Sequence, residues 1–527
     1  MPAHNPNLDA LIPREDFEVD DEGSDQDLRD NADISSLEKG HFFYESLRKP
    51  DFQRETGNWS PEKICEFIRT FLDGDLIPAI ILWKWQGNSF VIDGAHRLSA
   101  LISWVQDDYG DGARSLAFYA NRIPEEQKEI AKATRELVKK KLGSYLDYKA
   151  AASNPDPSKP EVAARAKRLG ARSARIQWVT GDPKKAEDAF FKINQEATPI
   201  DKTELRILRA RNTPSAISAR VILRAATGHK YWRDFAADEQ EKVIKKGISI
   251  HADLFTPALN TPIKTLDLPV AGRSHAGSSL PLIFDLVNIA NDQKVVDPSK
   301  SKKIPPAHSA VHPDGPMTVE FLRETERIVN RIVGTHPSCL GLHPAVYFYS
   351  ATGRHQPTAF LAVVSLIKDF ENRGWFEQFT SSRKDFEEFL LKYKDFSNQI
   401  TIRMGSGVKG FERLKTLYLK VLDLISSGKG ETDILESLRA DGNFAFLVTP
   451  GSVPEKTTKR KRFNTDAISQ TFLKEALGSP IRCKICHGLI HVKSITIDHI
   501  QRIREGGVGS IENAQLAHPY CNSTFKQ

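Results

Sequence analysis

Two short segments near the end of the chain constrain it most: Cys483-Lys-Ile-Cys486 and His518-Pro-Tyr-Cys521. Each is a pair of metal-ligand residue types with two residues between, a spacing that folds onto a tight turn. Two such turns converge on one tetrahedral zinc ion. The chain has five cysteines; the two outside these pairs, Cys65 and Cys339, lie in apolar, helix-like surroundings and read as core. The start, Met1-Pro2-Ala3-His4-Asn5, is polar and soon acidic, so no signal peptide is expected and the chain is read as cytoplasmic. In that compartment clustered cysteines argue for metal over disulfides. Cys483–His487 also spells the Cys-x-x-Cys-His signature of covalent haem attachment, but that chemistry normally requires export. Cys483, Cys486, His518 and Cys521 are therefore read as ligands of a structural zinc.

Between the two pairs, Thr496-Ile-Asp498-His499-Ile reads as a strand with two adjacent polar residues near its end. A carboxylate that holds a divalent cation, beside an imidazole that accepts a proton from water, suits phosphodiester hydrolysis. Strand alternation would send Asp498 and His499 to opposite faces, so the strand must end or bulge there. Gly506-Gly507, Glu512-Asn513, Gln515-Leu516, Asn522 and Lys526 follow.

Taken in order, Cys-x2-Cys, Asp-His-Ile, Gly-Gly, Glu-Asn, Gln-Leu, His-x2-Cys-Asn and a late Lys resemble an HNH endonuclease over about residues 463–527. The resemblance implies a ββα-metal fold and assigns His499 as general base. It makes Asp498 and Asn522 ligands of a catalytic Mg2+ (or Mn2+), and Asn513 the brace that orients the base. His518 stands where many relatives carry a third zinc cysteine, and its spacing favours zinc over the catalytic ion.

At the other end, a helix is predicted after Ser60 as N-cap and Pro61, with apolar residues at Ile64, Phe67, Ile68, Phe71 and Leu72 and a stop at Gly74. Two strands follow, over 77–85 and 89–92, joined by a turn at Gln86-Gly-Asn. Then Asp93-Gly94 gives a sharp turn into a helix from Ala95. Gly94 permits that turn, and the free amides of the helix start, with His96 and Arg97 beside them, suit a phosphate. Asp93 could serve a metal or a water. A purely structural ion pair of Arg97 with Asp93 or Glu55 fits the same residues.

The Gln53-Arg54…Trp59 segment, Ile77-Pro78 and Asp93-Gly94-Ala-His96-Arg97 resemble the ParB/sulfiredoxin-like domain with an Asp-Gly-Gln-Gln-Arg motif. That domain occurs in GmrSD-type, type IV restriction enzymes and in phosphorothioate-sensing defence nucleases. Phe190, Asn194, Pro199 and Leu205 fit the later part of the same pattern. The resemblance implies a nucleotide site, for GTP or ATP, at Gln53, Arg54, Asp93, Gly94, His96 and Arg97. Here Ala95-His96 replaces the commoner Gln-Gln, so phosphate binding is the part of the implied site that carries over best.

With 527 residues the chain has room for several domains. Residues 1–34 carry eleven Asp/Glu against two Arg while the chain as a whole is +6, so the remainder holds the positive excess. The expected organisation is an α+β multidomain chain: an acidic disordered leader (1–34), a ParB-like sensor (35–230), an α-helical body (231–447), a basic linker (448–462) and the HNH domain (463–527). One helix is predicted over about 124–151, and a basic helical stretch carries Arg165, Lys167, Arg168, Arg172 and Arg175. Asp201 and Glu204 suit a capping box. No stretch of 18 apolar residues exists; the nearest, Ala359 to Ile367, reads as a buried helix. The function expected is metal-dependent DNA cleavage in a prokaryotic anti-phage system, regulated by the nucleotide sensor. A mobile-element nuclease with a DNA-binding head and a non-catalytic ParB-like regulator are the other readings. The partners expected are double-stranded DNA, including modified phage DNA, and a nucleotide, with no membrane; a homo-oligomer is compatible with these.

Overall fold

The computed structural model describes residues 5–15, 28–50, 53, 55–157, 159–196, 206–208, 210–275, 278–295, 314–450 and 463–526. Arg54, Pro199, Asp201, Glu204 and Leu205, the side chain of Asn194 and most of the predicted basic linker lie outside them.

The N-terminal region is built on a six-stranded mixed sheet: β1 (Arg14–Glu15), β2 (Asn31–Asp33), β3 (Leu47–Pro50), β4 (Ile80–Trp85), β5 (Asn88–Asp93) and β6 (Ser173–Val179), in the order β1-β3-β5-β4-β6-β2. β4 and β5 form the predicted antiparallel hairpin. Gln86 (φ 48°) and Gly87 (φ 79°) both sit in the left-handed region that two-residue hairpin turns demand. Alternation sends Leu82 and Val91 to one face, where they meet Ile64 and Ile68 of helix Pro61–Asp73 and Leu98 and Leu101 of helix Ala95–Gln106. Trp83, Trp85, Phe90 and Ile92 go to the other face, against Ala186 and Phe190 of helix Pro183–Glu196. The Ser60 hydroxyl accepts the Lys63 N–H (3.3 Å), and Gly74 (φ 79°) closes that helix, as the sequence indicates.

Several expectations are corrected. Residues 5–15 and 28–34 belong to the fold and not to a disordered leader: Leu8, Leu11 and Ile12 are buried in the sheet core, and β1 pairs with β3. The acidic Asp9 among them is itself buried, held by Arg14 and Lys49. The single helix expected over 124–151 is two, Glu125–Lys141 and Tyr145–Ser153. Gly143 (φ 93°) breaks it, and Ser144 starts the second helix in a capping box with Asp147. The basic stretch is helical only over Pro160–Leu169; Arg175 lies in β6, which fills the gap between β4 and β2.

From 214 to 447 the described residues are mainly helical, around one continuous core. Helix Pro214–Leu223, placed by sequence in the preceding domain, is buried along its whole length in that core. Ala359–Ile367 lies within the buried helix Pro357–Arg373. The same core includes Leu473, Leu489 and Tyr520, so the C-terminal module is docked on the body and shares its interior. Among the described residues no helix is long and apolar enough to cross a membrane.

Candidate active site and metal centre

The C-terminal module is a two-stranded antiparallel hairpin, β7 (Thr496–His499) and β8 (Ala514–Ala517), followed by a π-helical turn, Cys521–Phe525. This is the β-β-helix order that the motif implies. β7 runs in regular register up to His499 opposite Ala514 and stops there, so the strand ends at the polar pair and does not bulge.

The four zinc-type residues meet. One ligand atom from each of Cys483, Cys486, His518 and Cys521 lies within 4.8 Å of the others, and all four residues are buried. The His518 Nδ1 is 3.3 Å from the Cys486 Sγ and 3.8 Å from the Cys521 Sγ. Its Nε2 is 3.0 Å from the Leu489 carbonyl. A ring nitrogen that donates to a carbonyl leaves the other free to coordinate, the usual arrangement of a metal-bound histidine. Three thiols and one so-oriented imidazole fit tetrahedral zinc, and they place His518 with the zinc set.

This knuckle is held by the helical body. Arg383 and Glu387, on helix Phe376–Lys392, form an ion pair (2.7 Å) with side chains 1% and 0% exposed. Arg383 donates to the Leu340, Gly341 (2.9 Å) and Leu489 (3.5 Å) carbonyls and lies 3.3 Å from the His518 Nδ1. Glu387 accepts the Leu489 N–H (2.6 Å) and the Tyr347 hydroxyl (3.0 Å). Gly488 is required at the contact, because a Cβ there would come 2.4 Å from the Arg383 Nε. The Tyr520 N–H to Cys339 carbonyl bond (2.9 Å) pins the other pair. Sequence reading did not find Arg383 and Glu387. Their i,i+4 spacing resembles any surface helix pair, and only the apolar residues around them hint at burial.

Asp498 is 6% exposed. Its Oδ2 accepts from the Gln515 amide (2.7 Å) and the Lys526 ammonium (2.6 Å). Lys526 also donates to the His499 carbonyl, so the late Lys of the motif ties the strand end to the chain terminus. The Asn522 Nδ2 donates to the Ile497 carbonyl (3.2 Å), which sets its amide beside β7. Asn513 closes the loop between the strands: its Oδ1 accepts the Gln501 N–H (2.7 Å), and its Nδ2 donates to the Gln501 (3.1 Å) and Val508 (2.9 Å) carbonyls. His499 is half-buried at the mouth of that loop. Asp498 and Asn522 offer oxygen donors of the type Mg2+ prefers.

At the N-terminal motif, Gly94 (φ 97°) caps the helix that follows β5, and a Cβ there would meet the Ile80 Cδ1 at 2.8 Å. Arg97 donates to Asp93 (2.6 Å) and to the Ala79 carbonyl (3.0 Å), while its buried Nε has no partner among the described residues. Glu55 pairs instead with Arg224. His96 stacks on Trp59, centroids 5.7 Å apart, and Trp59 also carries Lys63 over its ring. Gln53 is buried, its amide donating to the Val91 (3.0 Å) and Ile92 (3.2 Å) carbonyls, so it fastens the segment to β5.

Beneath lies a charge cluster that sequence missed. The Lys49 Nζ, fully buried, donates to the Asp9 carboxylate (2.6 Å) and carbonyl (2.7 Å), and Arg14 donates to Asp9 (3.1 Å) and to the Gln53 carbonyl. Burial opposes its ionisation, yet Arg14 and Lys49 hold the Asp9 carboxyl well below the usual range. Burial pulls Lys49 down to about 8. The one hint was the apolar Leu8-Asp-Ala-Leu-Ile12 run inside the acidic leader.

A family model of the GmrSD restriction endonuclease N-terminal domain matches residues 34–210, and a model of the HNH endonuclease matches residues 483–526. No curated protein matches the chain, and no solved structure does. The chain carries a GmrSD N-terminal domain and a C-terminal HNH endonuclease domain, and so matches a GmrSD-type HNH restriction enzyme.

Proposed function

We propose that this protein is a DNA endonuclease of a type IV restriction-like, anti-phage system, and that a nucleotide bound at its N-terminal domain regulates cutting. The reading places that domain in the ParB/sulfiredoxin-like class. The observation that carries it is the strand end at His499, with Asp498 and Asn522 beside it and Asn513 bracing the loop.

In this reading His499 takes a proton from the attacking water, the role an imidazole fills near neutral pH. Asp498 and Asn522 would hold a Mg2+ or Mn2+ ion, which would supply charge stabilisation to the cleaved phosphate. Lys526 pairs with Asp498 (2.6 Å). The zinc set carries no step; it fixes the hairpin and the turn that present these residues. At the other end, Arg97 and the amides of helix Ala95–Gln106 bind nucleotide phosphate, and Trp59 with His96 forms an aromatic wall.

The test is cleavage of modified and unmodified DNA with and without Mg2+, ATP and GTP. His499→Ala is expected to lower the rate by about 10²–10⁴-fold with zinc content unchanged. Asp93→Ala and Arg97→Ala are expected to abolish the effect of nucleotide on the full chain. Wild-type cutting by His499→Ala sinks the catalytic assignment. Cutting that no nucleotide alters leaves an HNH nuclease without a sensor.

A further inference from the structure

A second cavity, of about 420 Å³, lies where the N-terminal domain meets the helical body. Its volume is within the roughly 300–1,000 Å³ of small-molecule sites. Its lining shares no residue with the Asp93–Arg97 motif. Tyr119, Ile123 and Gln127 line it from the N-terminal side, and Leu223, Ile248, His251 and His275 from the body.

Three of its buried polar atoms have no hydrogen-bond partner among the described residues: the Tyr119 hydroxyl, the Gln127 Nε2 and the His275 Nε2. Tyr119 is 8% and Gln127 5% exposed. A buried donor left unpaired is destabilising, so three around one space call for a bound partner. Two helix ends shape the site. Asn121 N–H to Leu116 O (2.8 Å) and Ala226 N–H to Val221 O (2.9 Å) close them. They do so with Ala120, Asn121, Ala225 and Ala226 at positive φ, where glycine would be cheaper.

The charge pattern narrows the ligand. Burial pushes His275 down to about 3 and lowers His251, and it raises Tyr119, so at neutral pH all three are uncharged. Arg224 is committed to Glu55. Arg122, exposed on the rim, makes no ion pair among the described residues. A neutral, hydrogen-bonding, largely apolar interior with one free guanidinium at its edge suits neither a bare anion nor a cation. It suits a flat neutral heterocycle that carries a phosphate.

We propose that this cavity is a second nucleotide site, which holds a nucleobase against Tyr119, Gln127 and His275 and its phosphate on Arg122. The base can come from a free nucleotide or from a DNA strand that presents it unstacked.

The test uses the full chain in two arms. Calorimetry with the deoxynucleoside monophosphates and with ATP and GTP reads the free nucleotide. Fluorescence of a single-stranded oligonucleotide carrying 2-aminopurine reads a base presented by DNA. Both arms are run on the wild type and on Asp93→Ala, which silences the first pocket. Binding that survives Asp93→Ala, and that Tyr119→Phe or Gln127→Leu weakens roughly tenfold, is the expected result in whichever arm responds. Arg122→Ala should weaken a monophosphate but not the matching nucleoside. Without ligand, Tyr119→Phe and Gln127→Leu should leave Tm unchanged or raise it, because each removes an unpaired buried group; a merely structural role would lower it. No binding in either arm, or binding lost in Asp93→Ala and untouched by Tyr119→Phe, overturns the second site. The first of these outcomes also counts against the sensor reading, and the second leaves that reading intact.

Discussion

The Arg383–Glu387 pair makes a demanding prediction, because it belongs to the helical body while its bonds reach the zinc knuckle. Arg383→Met removes the ion pair and the bonds to the Leu340, Gly341 and Leu489 carbonyls, and leaves Glu387 as a buried carboxylate with only Tyr347 and the Leu489 N–H. Breaking a buried pair from one side costs about 3–5 kcal/mol, most of it the uncompensated charge. Glu387→Gln leaves the opposite charge unpaired and should cost a similar amount. The double variant should cost little more than either single, since the second change removes the charge that the first exposed. The effect must also reach the metal. The Leu489 carbonyl accepts from His518, and the Leu489 N–H is held by Glu387, so loosening this residue frees the imidazole. Loss of such an outer contact typically lowers metal affinity about 10–100-fold. Urea unfolding of the four proteins gives the stability cycle, and zinc transfer to a chromogenic chelator under native conditions gives the affinity. If Glu387→Gln loses stability but keeps wild-type zinc affinity, the body does not support the metal centre and the reasoning fails.

Three further outcomes follow from the geometry. Gly341→Ala should destabilise the same joint, since at φ 60° a Cβ would lie 2.7 Å from the Ser494 Cβ and 2.9 Å from the His518 Cδ2; unchanged Tm and zinc content would show that the contact yields freely. Lys526→Met removes an ammonium that competes for Asp498, so the Mg2+ concentration for half-maximal cleavage should fall by about tenfold, and a rise would make Lys526 a support of the ion site. Burial depresses His343 to about 3 and His355 to about 4, below the ordinary value of 6.5. From pH 6.5 down to those values the unfolded chain binds protons that the folded chain refuses. Stability should therefore be full above pH 6.5 and fall on acidification, by at most about 1.4 kcal/mol per pH unit for each histidine. Tm measured from pH 7.5 to 5.5 should show the fall, with a shallower slope in His355→Asn; equal slopes would remove His355 from the account.

What could be read from sequence was what is encoded locally. The Ser60 cap, the Gln86-Gly87 turn and the Gly94 strand-to-helix turn each depend on a few adjacent residues, and all three are present as expected. The zinc set combines two local pairs, each with its own spacing, and they meet. What escaped depends on distant partners. β6 joins β4 across nearly a hundred residues, so nothing local marks Ser173–Val179 as a strand, and Arg175 reads from sequence as the end of a basic helix. Asp9 was counted as tail charge because Arg14 is five residues away and Lys49 forty; an acidic composition cannot show which carboxylate has buried partners.

The joint between the C-terminal module and the body escaped for a related reason, with a mechanical consequence. Composition marks a linker before residue 463, and from that a free-standing nuclease domain is the natural reading. A sequence cannot show that Leu473, Leu489 and Tyr520 complete a core begun some 250 residues earlier. Nor can it show that Cys339, Gly341 and Arg383 of the body touch Tyr520, His518 and Leu489. Because the body grips the Cys/His cluster as well as the rest of the module, a shift of helix Phe376–Lys392 would reach Asp498 and His499 through the knuckle and β8, whose Leu516 carbonyl accepts the Lys484 N–H (2.9 Å). Lengthening the stretch 448–462, read from the sequence as a linker, should therefore leave the proposed nucleotide control of cutting intact, whereas Arg383→Met should uncouple it. Coupling of this kind needs a packed element whose equilibrium both ends bias, and under the proposed reading the buried Arg383–Glu387 joint is the contact on the nuclease side.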